Sequence, residues 1–504
     1  MTSSATWTEI SCTRAINGDL FSQGSQDYSF SIGYPNSWVP SKSYFRITAQ
    51  LNRTNTQDAP KISDMIAFSD NMAGNLYSTV SMSMGGVQIS KTTSFAQQAS
   101  AIKMRSGSTY QFLKSIGEDC NLLQASLTKR IQYVSSDTAI GSKVNDSDNQ
   151  IYKFENKLIT LSYVASTGII TSIGLRSAGD NIKIGDEVVI EGKSFIIALI
   201  PSATTFLTST IGISVAGDIP ATTDFYFVRR NITRNSQGHN QVYALYTPPI
   251  GFWDIAENIG QGDYKISLNP NSYYKKAIVQ SLYKLDPTVE YNVSIQDVKL
   301  YIYTETMSIP DTVKTLDMYE CNIQNKNYAS NLQFTIPSST QKISVFLQHP
   351  EANYNTIYPP SRFTCVDDID LKIKSIQLNY AGYTKTSTLY ESAFTSVGTA
   401  GLTSYSNQLQ QRFIESYESF NLGSLVNNNS CESYNDWLER GCVFHFDFTR
   451  DETDRDTELQ LNLQNTSDSA ELSNQKVFIV AWYRTTCQYQ SSGGVIKAVK
   501  MGSV

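Results

Sequence analysis

Alternation of apolar and polar residues with a period of two constrains this chain more than any other feature. Tyr28-Ser-Phe30-Ser-Ile32 and Tyr264-Lys-Ile266-Ser-Leu268 alternate. Val298, Leu300 and Ile302 alternate with Lys299, Tyr301 and Tyr303, and the triplets Phe444/Phe446/Phe448 and Leu459/Leu461/Leu463 keep the same rhythm. Successive side chains of a strand point to opposite faces, so these segments read as strands with one face on a core. Apolar-rich pieces at 44–47, 241–245, 342–348, 371–380 and 477–482 extend the series. Irregular loops separate the strands and helical signals are few, which predicts antiparallel sandwiches rather than a parallel sheet.

A chain of 504 residues exceeds what one hydrophobic core usually organises. The strands fall into two β-rich halves, about 1–285 and 286–504, with Leu285-Asp-Pro287 as linker. Residues 1–20 are polar and read as an arm. Pro35 and Pro40 interrupt the early strands. The stretch 61–77 fits either a loose helical stripe or strand–loop–strand. Gly85-Gly86 marks a tight turn, and 93–116 is the best helical segment, divided at Ser106-Gly107-Ser108. Residues 409–420 read as a second short helix. Between them, 152–227 reads as a compact all-β module inserted in a loop of the first half, with strands at 158–164, 168–173, 188–190, 195–200 and 210–215.

Composition supports the β reading. There are 30 Tyr and 22 Phe against 17% charged residues, and net charge is −6. Basic clusters are no longer than pairs, Arg229–Arg230 and Lys275–Lys276, so no basic arm for nucleic acid is present. No run of apolar residues is long enough for a membrane span, and residues 1–19 do not read as a secretory leader. The seven cysteines (Cys12, Cys120, Cys321, Cys365, Cys431, Cys442, Cys487) are scattered without a CxxC and read as free thiols. Sequons at Asn52, Asn145, Asn231, Asn292, Asn428 and Asn465 then read as products of an Asn/Ser/Thr-rich chain.

Chemistry-bearing patterns are sparse. His239, His349 and His445 lack metal-ligand spacing. His445 alternates with Phe444 and Phe446 and shares a strand face with Asp447; the ordinary reading is a solvent-facing residue, and the functional one an acid–base pair. Asp451, Glu452, Asp454, Asp456 and Glu458 form the densest acidic run. They lack calcium-loop spacing, and Arg450 and Arg455 supply counter-charge, so a solvated hairpin loop is expected. Val366-Asp367-Asp368-Ile-Asp370 reads as a polar turn. No phosphate loop, nucleophile elbow, zinc helix or dinucleotide fingerprint occurs. The expectation is no catalytic residue, no metal and no cofactor.

Several segments, in order, resemble the double jelly-roll major capsid proteins of the adenovirus, virophage and polinton-like virus lineage. In the first half these are Asp64-Met-Ile-Ala-Phe68, Asn75-Leu-Tyr77, Gly85-Gly86-Val-Gln88, 97–117 with Lys103 and Arg105, Tyr246-Thr-Pro248-Pro249-Ile-Gly251, Gly262-Asp-Tyr264 and Leu268-Asn269-Pro270. In the second they are Phe334-Thr-Ile-Pro337-Ser338-Ser339-Thr340, Val345-Phe-Leu-Gln348, 355–359, Ser361-Arg-Phe363, Ile376-Gln-Leu-Asn-Tyr380 and 444–451. The resemblance implies an all-β chain of two tandem eight-stranded jelly rolls: an arm at 1–20, a first jelly roll at 21–285 carrying the module at 152–227, and a second at 286–504. It implies a homotrimer acting as a pseudo-hexagonal tile of an icosahedral virion capsid, assembled inside the host cell. Neighbouring capsomers, penton and minor capsid proteins would be its partners, with an internal membrane beneath the shell. The module would be an outward decoration. Two other readings are a carbohydrate-binding or carbohydrate-active β-sandwich, using exposed Trp253, Trp437 or Trp482, and a viral spike or fibre.

Overall fold

The computed structural model describes residues 5–16, 18–20, 27–32, 37–53, 66–68, 71–92, 94–107, 150–152, 160–173, 187–191, 193–208, 217–222, 224–229, 241–271, 277–280, 291–305, 313–348, 363, 373–386, 395–397, 402–404, 407–420, 437, 442–449, 451, 456–465, 475–492 and 495–502. In chain order these hold β1 (Ala5–Ser11), β2 (Asp19–Leu20), β3 (Tyr28–Ile32), β4 (Trp38–Arg53), β5 (Ile66–Phe68), α1 (Met72–Asn75), β6 (Tyr77–Met84), β7 (Val87–Lys91) and α2 (Ala96–Gly107). A block of short strands follows: β8 (Gln150–Tyr152), β9 (Thr160–Val164), β10 (Ile169–Ile173), β11 (Glu187–Ile190), β12 (Lys193–Ser202), β13 (Thr205–Thr208), β14 (Ile219–Thr222) and β15 (Phe225–Arg229). Then come β16 (Gln241–Tyr246), a 3-10 turn (Gly251–Asp254), β17 (Tyr264–Pro270), β18 (Ile278–Gln280) and β19 (Tyr291–Glu305). The remainder holds β20 (Val313–Asn327), β21 (Asn331–Thr335), β22 (Thr340–Gln348), β23 (Ile373–Tyr380), β24 (Tyr383–Thr386), β25 (Thr395–Val397), β26 (Leu402–Ser404), α3 (Asn407–Phe420), β27 (Phe444–Asp447), β28 (Glu458–Asn465), β29 (Lys476–Ser492) and β30 (Val495–Gly502).

Strand order decides the architecture. One sheet of the first half runs β1-β19-β4-β16, and the other runs β3-β17-β6-β7. Taking these eight strands in chain order, the sheets read 1-8-3-6 and 2-7-4-5. In the second half β20-β29-β22-β27 and β21-β28-β23-β24 give the same 1-8-3-6 and 2-7-4-5. Every pairing within these sheets is antiparallel. Alternate strands thus shuttle between two facing sheets, the winding of two Greek keys closed on themselves. Each half is a jelly roll.

The period-two pattern explains which face closes each core. Tyr28, Phe30 and Ile32 of β3 are buried with Tyr264, Ile266 and Leu268 of β17 opposite Phe45, Ile47 and Ala49 of β4. In the second half, Leu459, Leu461 and Leu463 face Ile343, Val345 and Leu347. An aromatic cluster plugs the first core: Trp253 lies 5.5 Å from Phe45 and 5.7 Å from Trp38, which stands edge-on to Tyr264 at 5.6 Å. Pro40 does not break β4. Between Val39 and Tyr44 the register against β19 slips, so the proline falls in a bulge where the ladder needs no donor. Ser43 stitches that bulge, donating to the Val39 carbonyl at 2.8 Å and accepting from the Tyr303 amide at 3.0 Å.

Two expected boundaries move. Residues 5–11 are a strand, not an arm: Ala5 to Ser11 pair in register with Glu305 to Lys299. The strand is mostly polar because one face of this edge meets solvent, and ladder hydrogen bonds do not need apolar side chains. The alternation at Val298–Ile302 is real, but β19 pairs with β4 and closes the first jelly roll, so a division at 285/286 falls one strand too early. The stretch 61–77 holds both β5 and α1. The helix read at 93–116 starts at Ala96 and is described to Gly107; its remainder, the strand read at 210–215 and the turn at 366–370 lie outside the described residues.

The inserted strands sit between β7 and β16, the fifth and sixth strands of the first jelly roll. They form one sheet, β14-β9-β10-β13-β12-β11-β15-β8, around their own core of Leu161, Ile170, Val188, Ile190, Phe195 and Phe206. Phe227 to Arg229 pair with Tyr152 to Gln150, so the block's ends lie side by side, as an insertion into a loop requires.

The two jelly rolls share strands. β20 and β29 pair over their whole common length, from Val313–Gln490 to Asn327–Lys476. At one end the inward residues of β29, Ile479 and Ala481, belong to the second core. At the other, Leu316, Met318, Cys487 and Tyr489 belong to the first. β30 continues this ribbon, with Ile496 and Val499 against the first core and the Ile496 amide donating to Gln261 O at 2.7 Å. Backbones approach closely at the same seam: a Cβ on Gly251 would lie 2.5 Å from the Tyr319 carbonyl oxygen.

Candidate functional surface

The two jelly rolls have the same topology but opposite outer faces on their 1-8-3-6 sheets. In the second, that face is apolar and covered. Cys321 and Ile323 of β20, Phe478, Val480 and Trp482 of β29, and Phe346 of β22 are buried beneath Ala99, Ala101 and Ile102 of α2. Phe346 stacks on Phe478 at 5.1 Å, and Phe95, just before α2, meets Phe478 edge-on at 5.4 Å. A loop of the first jelly roll therefore roofs the second. Gln98 on α2 donates to Gln348 at 3.1 Å beside this layer.

A polar thread runs through the apolar layer. Trp482 Nε1 donates to Ser344 Oγ at 2.8 Å. That hydroxyl lies 2.7 Å from His445 Nδ1, and His445 Nε2 lies 3.3 Å from Ser106 Oγ on α2. The α3 residue Ser416 accepts from the His445 amide at 2.8 Å and donates to the Val443 carbonyl at 2.8 Å. Phe420 at the end of α3 covers the imidazole at 4.5 Å. Burial, then the charge of Lys342, pulls the His445 pKa down to about 3, so the ring is neutral at physiological pH.

His445 is thus not the solvent-facing residue expected; it is 7% exposed. Strand parity gave its side of the sheet correctly, but helices from two distant loops roof that side. No acid–base pair forms with Asp447, whose Oδ1 accepts from the Thr449 amide at 2.8 Å. The Ser344–His445 contact has the atoms of a nucleophile–base pair, but it lies under Phe420 and Trp482 and serves packing.

The corresponding face of the first jelly roll is open, aromatic and charged. Trp7 of β1 is 54% exposed and meets Tyr303 edge-on at 4.9 Å. Tyr44 stacks on Tyr301 at 5.4 Å, with the Arg46 guanidinium 5.3 Å above Tyr301 and Lys42 4.5 Å above Tyr303. Glu9 joins Lys299 at 2.5 Å and accepts from Tyr301 Oη at 2.7 Å, contacts that hold its carboxyl below the usual range. Half-exposed Trp, Tyr and Arg are the residue types enriched in protein interfaces.

The inserted sheet carries a second open feature. Val164, Ile169, Leu207 and Leu199 are direct cross-strand neighbours and form an apolar row over four strands, with Val164 and Leu199 exposed. Leu199 reaches this face because the register shifts between Ile197 and Leu199, a bulge that reverses its parity.

Other residues singled out in the sequence fall apart in space or outside the described residues. His239, His349, Glu452, Asp454, Arg450, Arg455 and Lys275–Lys276 lie outside. Asp451 pairs with Lys385 at 2.7 Å, and Asp456 caps the Glu458 amide at 3.0 Å, both turn-stabilising roles. Trp253, Trp437 and Trp482 are buried, which removes the exposed aromatic platform on which the sugar-binding reading rested. Cys12, Cys321, Cys442 and Cys487 are free thiols; the other three cysteines lie outside the described residues. Sequence reasoning missed Ser344 and Ser416, which nothing in the sequence marks, and read Ser106 only as part of a helix division. It also missed Glu320, which does carry a signal: it follows Leu316 and Met318 at strand spacing and so points into a buried face.

No family model and no curated protein matches the sequence. Among solved structures, the chain is similar to one in the cryo-EM structure of the Sputnik virophage, with TM-score 0.48 and 11% identity over 99% of this chain and 89% of that one. It is also similar to the mavirus major capsid protein (TM-score 0.45, 9% identity, 99% and 90% covered) and the Faustovirus major capsid protein (0.45, 9%, 96% and 90%).

Proposed function

We propose that this chain is the major capsid protein of an icosahedral virus, acting through shape rather than chemistry. The observation that carries the reading is internal: one chain winds the same eight-strand jelly roll twice and fastens the copies side by side through shared strands. Such a unit presents two similar lobes, and three of them around an axis make a six-lobed tile. The roof on the second jelly roll is supplied by the first. The matching face of the first has no roof among the described residues, and a neighbouring copy would cover it in a homotrimer. Trp7, Tyr44, Tyr301 and Tyr303 then become interface anchors. Neighbouring tiles, penton and minor capsid proteins complete the shell, and the inserted sheet stands as a decoration away from the trimer wall.

Two measurements test this. Light scattering of the purified chain should give a trimer, and the double variant Trp7→Asp/Tyr301→Asp should give a folded monomer with unchanged circular dichroism. A trimer that survives the double variant excludes this face as the wall, and a wild-type monomer excludes the tile. Deleting residues 152–227 should leave the trimer intact; its loss would show that the inserted sheet is part of the wall.

A further inference from the structure

Among the described residues, Glu320 is the only buried acidic side chain, at 3% exposure. It lies on β20 where that strand meets the first jelly roll. From β7, Ser90 Oγ donates to its Oε1, and its Oε2 is buried without a hydrogen-bond partner. From the 3-10 turn, the Gly251 amide and Asp254 face it; from α2, Lys103; from β29, Tyr483; and Cys321 adjoins it on β20. Lys103 is committed to Asp254, 2.7 Å away. Position 251 itself can carry no side chain toward the carboxylate, because a Cβ there would lie 2.5 Å from the Tyr319 carbonyl oxygen.

We propose that Glu320 is a pH-responsive latch between the two jelly rolls: neutral, it leaves no unsolvated charge in the seam and the seam stays shut, and ionised it places an under-solvated charge between β7, the turn and β20 and loosens them. Burial, reinforced by Asp254, pushes its carboxyl up to about 7, against the pull of Ser90, Lys103 and Gly251. Cys321 and Tyr483, both pushed up to about 12, stay neutral across this range. An opened seam returns the carboxyl toward its ordinary value of 4.5. The closed form therefore binds the proton more tightly, and closure weakens as pH rises between these values. The inference is independent of the capsid reading, because it is read on the full chain in whatever oligomer it forms.

The test is hydrogen exchange at residues 87–91 and 251–254, corrected for intrinsic rates. In the wild type, protection there should fall about tenfold between about pH 6 and about pH 8. In Glu320→Gln it should not change, and the difference between the two cancels every other titrating group. An equal fall in both, or none in the wild type, overturns the latch. If Glu320→Gln does not fold, Ser90→Ala replaces it. That variant removes a hydroxyl that favours the anion, so the midpoint of the transition should move to higher pH; a midpoint that stays in place overturns the proposal.

Discussion

Replacing Trp253 by alanine is expected to cost about 5 kcal/mol, the largest effect of any single truncation in the first jelly roll. The indole is 1% exposed and fills the space between Phe45, Trp38 and Phe252. Removing it leaves a cavity among rings held by their own strands, so the site cannot collapse; loss of a buried aromatic at such a site costs about 3–5 kcal/mol. A second penalty adds to this. Trp253 Nε1 donates to the Ser43 carbonyl at 2.8 Å inside the β4 bulge, and a buried acceptor stripped of its donor costs about 1–3 kcal/mol. The same turn carries Gly251 against Tyr319, so the damage should reach the seam. Urea denaturation of Trp253→Ala against wild type measures this. A change below about 2 kcal/mol would mean that the cluster is looser than its ring distances imply.

Acid should weaken the fold through His445, by up to about 5 kcal/mol at pH 3. In the folded chain the imidazole has a pKa of about 3, against an ordinary 6.5. The unfolded chain therefore takes up the proton first as pH falls. Stability from this group is complete above the ordinary value and drains away down to the folded one, by about 1.4 kcal/mol per pH unit. The cause is local: protonation would put a cation under Phe420 and close to Lys342, whose own pKa burial already lowers. His445→Gln keeps hydrogen-bonding capacity toward Ser344 and Ser106 but does not titrate. Its melting temperature should fall less steeply than the wild type's between about pH 6.5 and about pH 4. Parallel slopes would show that the buried ring is not the acid-sensitive group.

Most strands were legible because alternation survives wherever one face meets a core and the other does not. Tyr264–Leu268 and Leu459–Leu463 are such cases. What remained illegible depended on partners remote in sequence. Parity placed His445 on the outer face of its sheet but could not say that α2, from the other jelly roll, covers it. The same blindness made Trp482 look like a surface aromatic. At Ala5–Ser11 the apolar signal is too thin to announce a strand, because ladder hydrogen bonds with β19 fix this edge. Leu199 shows a third limit: a single bulge reversed a parity that spacing from Phe195 and Ile197 would have assigned to the interior. The shared ribbon had no signature either, since Leu316 and Ile479 read alike although they close different cores.

That ribbon has a consequence for how the molecule comes apart. Because Leu316 and Met318 of β20 and Cys487 and Tyr489 of β29 line the first interior while Ile479 and Ala481 of β29 line the second, the first lobe possesses no complete core of its own, and the second takes the roof of its outer face from α2. A cut anywhere between them removes wall from one or lid from the other. Melting must then proceed as one transition rather than two, and during synthesis the amino-terminal lobe has to wait, partly uncovered, for residues near the carboxyl end before it can close.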